Sequence, residues 1–422
     1  MTWFVLVFPL VLLLLGFPIF VILLAASACL LMFFMNVPFA VAHQALFGAI
    51  DKFSLLAVPF FLFAGEVMGV GGMSKRILDW CMSIIGRVRG AQGLTTIAAS
   101  TVFGAISGSA PATVAAIGRF TYPGLREKYG LRFATGIISA TGAIDIMIPP
   151  SISMILYGAA AEQSVARLFI AGVVPGLLLA ALNAVYVVYY ARRQRIQDTE
   201  PVNWRAFLAA TRKGFWSLGG PAVILGGIYG GIFAPTEAAG VACVYGILVT
   251  KFIHRELTWR ELWNVGVNSM YLTAQIMIIV AAAGVFSWIL TVNGVPQAAV
   301  QLVKGIADSP WAVLMAINIF LLVVGCVIDP ASAILILTPL LVPICKAYGI
   351  DLIHFGVIMA LNLAIGMFHP PFGLNIFVVQ ALTRAPVGAI YLGVIPFVVV
   401  ALVALIIVTY VPWLSLYLTS MI

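Results

Sequence analysis

Apolar positions along the chain run in long unbroken blocks rather than in the alternation of a half-buried strand. Read approximately, the blocks are 2–35, 54–70, 91–118, 133–160, 168–191, 215–252, 264–292, 311–344, 354–382 and 388–412. Most are long enough for helices that cross a bilayer, which takes about 20 residues. The pattern therefore predicts an all-α integral membrane protein. Small and polar residues interrupt the blocks at a few places. Gly16-Phe17-Pro18 divides the first block, so 2–35 is either one long tilted helix or two short ones. Further in, the breaks are Gly104 with Ser107-Gly108-Ser109-Ala110-Pro111, then Asp145 to Ser151, then Gly325 to Pro330, then His369 to Asn375.

Basic residues cluster between some blocks and avoid others. Of 22 Lys and Arg, 18 fall in five groups: 75–89, 119–132, 192–213, 251–260 and Arg384. If these mark the cytoplasmic side, the chain threads consistently from 54 to its end. Residues 90–118 then lie between two groups on one side, yet number only 29. Two full crossings need roughly 40, so this segment is expected to be a re-entrant hairpin turning at Ser107–Pro111. Residues 311–344 repeat the pattern from the other face. After each hairpin comes a crossing broken by a double proline, 133–160 with Pro149-Pro150 and 354–382 with Pro370-Pro371. Proline removes a backbone donor and clashes with the preceding turn. Irregular backbone at membrane depth is tolerated only where it is buried or lines a wet cavity.

The order crossing, amphipathic loop, hairpin, broken helix, crossing occurs twice, in 54–191 and 264–422. Pro330 answers Pro111 and Pro370 answers Pro149, spacings of 219 and 221 residues. The second unit starts from the opposite face, so the two are expected to be inverted repeats, an arrangement characteristic of secondary transporters. Residues 1–53 and 192–263 are left as scaffold helices. The loops 75–89 and 294–308 precede the hairpins; the first, with Ile77, Leu78, Trp80, Cys81, Ile84 and Ile85 on one face, reads as a collar in the interface plane.

Composition agrees. Of 422 residues, 63% are hydrophobic and 9% charged, with mean hydropathy +1.14, against about 25% charged in soluble domains. The net charge of +8 is spread over short loops, which is how topology is written and not how a nucleic-acid surface looks. Five cysteines without CxxC spacing imply neither a disulfide framework nor a zinc site. No basic residue precedes the first block, so a cleaved signal peptide is not expected. Nothing points to an enzyme.

Broken helices offer carbonyls to cations and N–H groups to anions. The first tip and break supply Ser107, Ser109, Thr113, Asp145 and the carbonyls up to Pro150; the second supply Gly325, Asp329, Ser332, Gly366, His369 and Asn375. Asp329 before Pro330 and Thr236 before Glu237 also read as helix caps. Asp145 stands out, because an intramembrane carboxylate is costly and usually functional. Glu66 and Glu237 read as structural.

With those residues laid out, the chain resembles the large membrane subunit of tripartite ATP-independent periplasmic (TRAP) transporters over nearly its whole length. The resemblance rests on Val58–Met68, the Ser107–Thr113 tip, Ile148-Pro149-Pro150-Ser151, Ala234–Ala239 and Pro370-Pro371-Phe372-Gly373. It implies an elevator-type importer in the bacterial inner membrane, without a cofactor but with sodium as coupling ion. The implied partners are a small DctQ-like membrane subunit and a periplasmic DctP-like protein that delivers an organic anion. One ion is implied at Ser107, Ser109, Asp145, Ile148 and Pro150, another at Gly325, Gly366, His369 and Phe372. Thr113, Ser151, Asp329, Ser332 and Asn375 are left for the substrate. The family pattern has a small residue at 145 and threonine at 369, so Asp145 and His369 each add a titratable group beside an expected ion. Two alternatives stay open: a self-sufficient anion carrier with the same hairpins, and a scaffold subunit that transports nothing.

Overall fold

The computed structural model describes residues 2–35, 37–199, 204–305, 307 and 309–421. Every regular element among them is helical. The first half runs α1 (Thr2–Leu14), α2 (Ile19–Phe33), α3 (Phe39–Ile50), α4 (Ala57–Val70), α5 (Met73–Ile85), α6 (Ala91–Ser107), α7 (Ala110–Tyr129), α8 (Leu131–Met147), α9 (Ile152–Ala161) and α10 (Val165–Arg193). The chain continues through α11 (Trp204–Tyr229), α12 (Pro235–Ile247), α13 (Trp259–Val292), α14 (Val295–Lys304), α15 (Pro310–Gly325), α16 (Pro330–Ala347), α17 (Leu352–Gly366), α18 (Leu374–Thr383), α19 (Val387–Tyr410) and the short α20 (Trp413–Leu416). Among the described residues six helices are long and apolar enough to cross a membrane, and α8 with α9 passes the same test as a pair bent by 42°. This is a multi-pass membrane protein.

The break at Gly16-Phe17-Pro18 separates two helices, which settles the reading of 2–35. Two other segments differ from the sequence reading. Residues 36–53 carry no apolar block, yet α3 forms there and packs on α13. His43 and Gln44 lower its hydropathy, while Ala45, Leu46, Ala49 and Ile50 still pack against the buried core. The second arm of the first hairpin does not stop at 118; α7 continues to Tyr129, and only Gly130 separates it from α8. Arg126 and Lys128 lie in its last turn, where cations complement the helix dipole. Charge thus ended the apolar block without ending the helix. In the predicted 294–308 loop, residues 306 and 308 lie outside the described residues.

An outer group of α2–α4 and α11–α13 packs alongside an inner group of α6–α10 and α15–α19. At its centre, Phe133–Met147 of α8 and Ile353–Gly366 of α17 are buried on all sides, as expected of helices without a polar face. Polar side chains hold the inner group together. Asn362 of α17 donates to the Asn318 carbonyl of α15 at 2.9 Å, and Asn318 donates to Thr409 of α19 at 2.9 Å. Such interhelical bonds are typically worth about 1 kcal/mol in a membrane. Helix α5 buries Met73, Ile77 and Cys81 on one face and exposes Lys75 and Asp79.

Two ties join distant parts. The buried Asp198, beyond α10, accepts from Gly90 N at 3.0 Å and Gln92 N at 3.1 Å, and also from the Tyr129 hydroxyl. One carboxylate therefore clasps both ends of the α6–α7 pair. On the other tie, Lys52 Nζ donates to the Ala159 carbonyl at 2.6 Å, joining the segment after α3 to the C-terminal end of α9. All five cysteines are free.

Candidate functional site

The first tip is built by its backbone. Helix α6 ends at Ser107, Gly108 turns the chain at φ +61°, and Ser109 starts α7 in an extended conformation with Pro111 in the first turn. Proline is suited to that turn, where its missing N–H has no intrahelical partner anyway. Ser107 Oγ accepts from Ser109 N at 3.3 Å. A Cβ at Gly108 would stand 2.7 Å from the Pro150 carbonyl oxygen, so the tip lies directly on the break in the next crossing. There α8 ends at Met147, Ile148 is extended, and Ser151 caps α9 by accepting from Met154 N at 3.4 Å.

Asp145 lies in the last turn of α8 and is fully buried. A Cβ at Gly104 would come within 2.7 Å of its Oδ1, so the carboxylate is pressed against the first arm of the hairpin. Neither Asp145 oxygen has a donor in ordinary hydrogen-bond geometry, and the hydroxyl of Thr113 is its polar neighbour. Burying a carboxylate is costly unless it is paired or hydrogen-bonded.

The second tip mirrors this placement with different chemistry. Gly325 ends α15, and Asp329 caps α16, accepting from Ser332 N at 3.1 Å and from Ser332 Oγ. A Cβ at Gly366 would stand 2.4 Å from the Gly325 carbonyl oxygen, so only glycine admits the tip this close to α17. His369 Nδ1 bonds the Pro370 carbonyl and lies 3.1 Å from Cys326 Sγ. The Phe372 side chain is exposed. Buried Asn375 of α18 donates to the Ser139 carbonyl of α8 at 3.1 Å, tying the two broken crossings together.

Both tips open on one cavity of about 450 Å³, with Ser109 on one wall, Asp329 and Ser332 on another, and Gln275 of α13 facing them. Of the side chains expected from sequence, these three line it. Thr113, Asp145, Ser151, His369 and Asn375 are not part of that lining; Ser151, His369 and Asn375 are engaged in the hydrogen bonds described above, and Thr113 and Asp145 lie together without a settled partner. Gln275 and Ser153 line the cavity and were missed; a lone glutamine inside the 264–292 apolar block was the available signal.

The sequence and the fold have known counterparts. Residues 6–414 match the family described as the tripartite ATP-independent periplasmic transporter, DctM component. The chain belongs to that family. A C4-dicarboxylate TRAP transporter large permease protein of Pseudomonas aeruginosa is 43% identical over 89% of this chain and 88% of its own length. An ectoine TRAP transporter large permease protein of Halomonas elongata is 36% identical over 97% of both chains. The isethionate permease protein DctMQ of Oleidesulfovibrio alaskensis is 38% identical over 90% of this chain, which spans 60% of that protein. In fold, this DctM-family chain is similar to the YdaH transporter of Alcanivorax borkumensis, with TM-score 0.63, 14% identity, and 96% and 98% of the two chains covered.

Two further acids of this TRAP permease lie in the outer group. Glu66 of α4 accepts from Ser269 Oγ of α13 at 2.7 Å and from Asn268 at 3.4 Å. Glu237 bonds the Ala234 N–H at 2.8 Å at the start of α12. The cap there is therefore Ala234 backed by Glu237; Thr236, expected from sequence, lies inside the first turn with its hydroxyl unpartnered.

Proposed function

We propose that this chain is the membrane carrier of a TRAP transporter that imports a small organic acid across the bacterial inner membrane, coupled to sodium. A DctQ-like membrane subunit and a DctP-like periplasmic protein would complete it, and a fused DctMQ relative supports the first of these. Relatives named for a C4-dicarboxylate make that class the first candidate substrate. The observation that carries the reading is the meeting of two helix breaks on one cavity, with a buried carboxylate beside the first.

Sodium is a hard cation that takes oxygen ligands, and both breaks are oxygen-rich. Around the first, Ser107, Ser109, the carbonyls of Ile148 and Pro150, and Asp145 would hold one ion. At the second, carbonyls of Gly325, Gly366, His369 and Phe372 would hold another. Ion binding at a tip would draw it onto its break and shape the cavity wall for the organic acid, at Ser109, Asp329 and Ser332. The inner group would then slide as a body against the outer one, in inverted repeats spanning 54–191 and 264–422.

The test is uptake of labelled succinate into liposomes holding the permease and its two partner proteins. An inward sodium gradient should drive accumulation that collapses when potassium replaces sodium. Accumulation that follows a proton gradient and ignores sodium would overturn the coupling.

A further inference from the structure

A second cavity of about 560 Å³ adjoins the first, sharing Leu62, Ser109, Pro111, Leu272 and Leu374 with it. It descends along α7, reaching Arg119. That residue is nine positions from the start of α7, about 13 Å along the helix axis. The basic-residue distribution marks this end as cytoplasmic. Among the described side chains that line the two cavities, Arg119 is the single cation.

Its guanidinium is exposed and rests on the Phe120 ring, with Cζ 4.6 Å from the centroid. Glu66 lines the same cavity, but its carboxylate is held by Ser269 and Asn268. Among the described residues the ion pair is Arg76–Glu256, so Arg119 is not paired with Glu66. A planar fork of donors, unpaired and set against mostly apolar walls, suits a carboxylate or a sulfonate in two-point contact. An acid leaving the tips meets no positive side chain before it.

We propose that Arg119 is an anion-binding station between the tips and the cytoplasm, where the organic acid leaving the tips is received by its carboxylate. This rests on the reading of the chain as an organic-acid carrier. Glu66 tunes the station by opposing anion entry from the outer wall.

The experiment places a single cysteine at Ala115, exposed in the same cavity one turn before Arg119, in a background without the five native cysteines. Its reaction rates with a negatively charged and a positively charged methanethiosulfonate reagent are measured in the purified protein. Arg119→Gln should lower the negative-to-positive rate ratio about five-fold or more, Arg119→Lys should retain most of it, and Glu66→Gln should raise it. Succinate, and not its neutral diamide, should slow the negative reagent in the parent and lose that effect in Arg119→Gln. A ratio and a protection unchanged in Arg119→Gln would overturn the station. An Arg119-dependent ratio without protection by succinate would support an anion site and count against the dicarboxylate reading. Arg119→Lys guards against misfolding as the cause of any loss.

Discussion

At the residue scale, the two tips reach the same place by different means. Ser109 starts α7 without a side-chain bond to the first turn, whereas Asp329 spends its carboxylate on the first turn of α16. Loss of such a cap typically costs about 1 kcal/mol, too little to unfold a protein of this size. Asp329→Ala and Ser109→Ala should therefore reach the membrane at near-parental levels while losing most sodium-driven uptake. Sodium dependence like the parent's in both variants would reduce Asp329 to a cap and leave the Ser109 side chain without a role in coupling. A different residue, His254, carries a prediction about pH. His254, just beyond α12, is shifted below the usual imidazole range by burial, with Arg76 adding to the shift and Glu256 opposing it. A base whose folded pKa is lowered binds more protons when unfolded, so its effect is to cost stability as the pH falls through about 6.5. Melting curves from pH 8 to pH 5 should fall more steeply for the parent than for His254→Gln. Parallel curves would remove His254 as the cause.

At the element scale, what was legible in the sequence is what glycine and proline write locally. Gly108 and the two double prolines fixed where helices stop, because those residues act on their own backbone. What stayed hidden depended on partners. Helix α3 is apolar but only 12 residues long, too short to register as a spanning block, and it packs on α13. The lower half of α7 is charged, and its helicity is invisible to hydropathy. The candidate site positions were read by adjacency to the breaks; of them Ser109, expected at an ion, and Asp329 and Ser332, expected at the substrate, line the cavity. Thr113, Ser151 and Asn375 share those segments but turn toward α8 and α9. The Asp198 clasp joins residues 69 and 108 positions apart, and no local pattern announces it. Asp198→Ala would strand two backbone N–H groups and a tyrosine hydroxyl, an expected loss of roughly 3 kcal/mol. Detergent-solubilised protein should melt several degrees lower, with Asp198→Asn in between. An unchanged melting temperature would show that water replaces the carboxylate.

At the scale of the whole molecule, the basic-residue asymmetry makes a topological prediction. A single cysteine at Gln197 should label from the cytoplasm and one at Lys304 from outside; labelling of both from the same side would sink the inverted arrangement. The Lys52–Ala159 bond then lies at the outer face, joining the outer group to the end of α9. A charged donor on a helix C-terminus contributes about 1.5 kcal/mol, enough to change a two-state ratio roughly ten-fold. In Lys52→Met, spin labels at Val292 and Glu162 should report a smaller share of the short separation. An identical distance distribution would deny the bond any hold on the equilibrium.

The clasp at Asp198 also bears on how the protein is made. Synthesis runs from the N-terminus at about 5–20 residues per second, so the first hairpin is complete several seconds before its closing carboxylate exists. During that interval α8, α9 and α10 must enter the bilayer beside a hairpin whose two ends are still untied. Ribosome-arrested chains ending before Asp198 should be cut by protease near Gly90 and Tyr129, and chains long enough to release Asp198 should resist. Equal cutting of both would mean that the insertion machinery, rather than the chain itself, keeps the young hairpin closed.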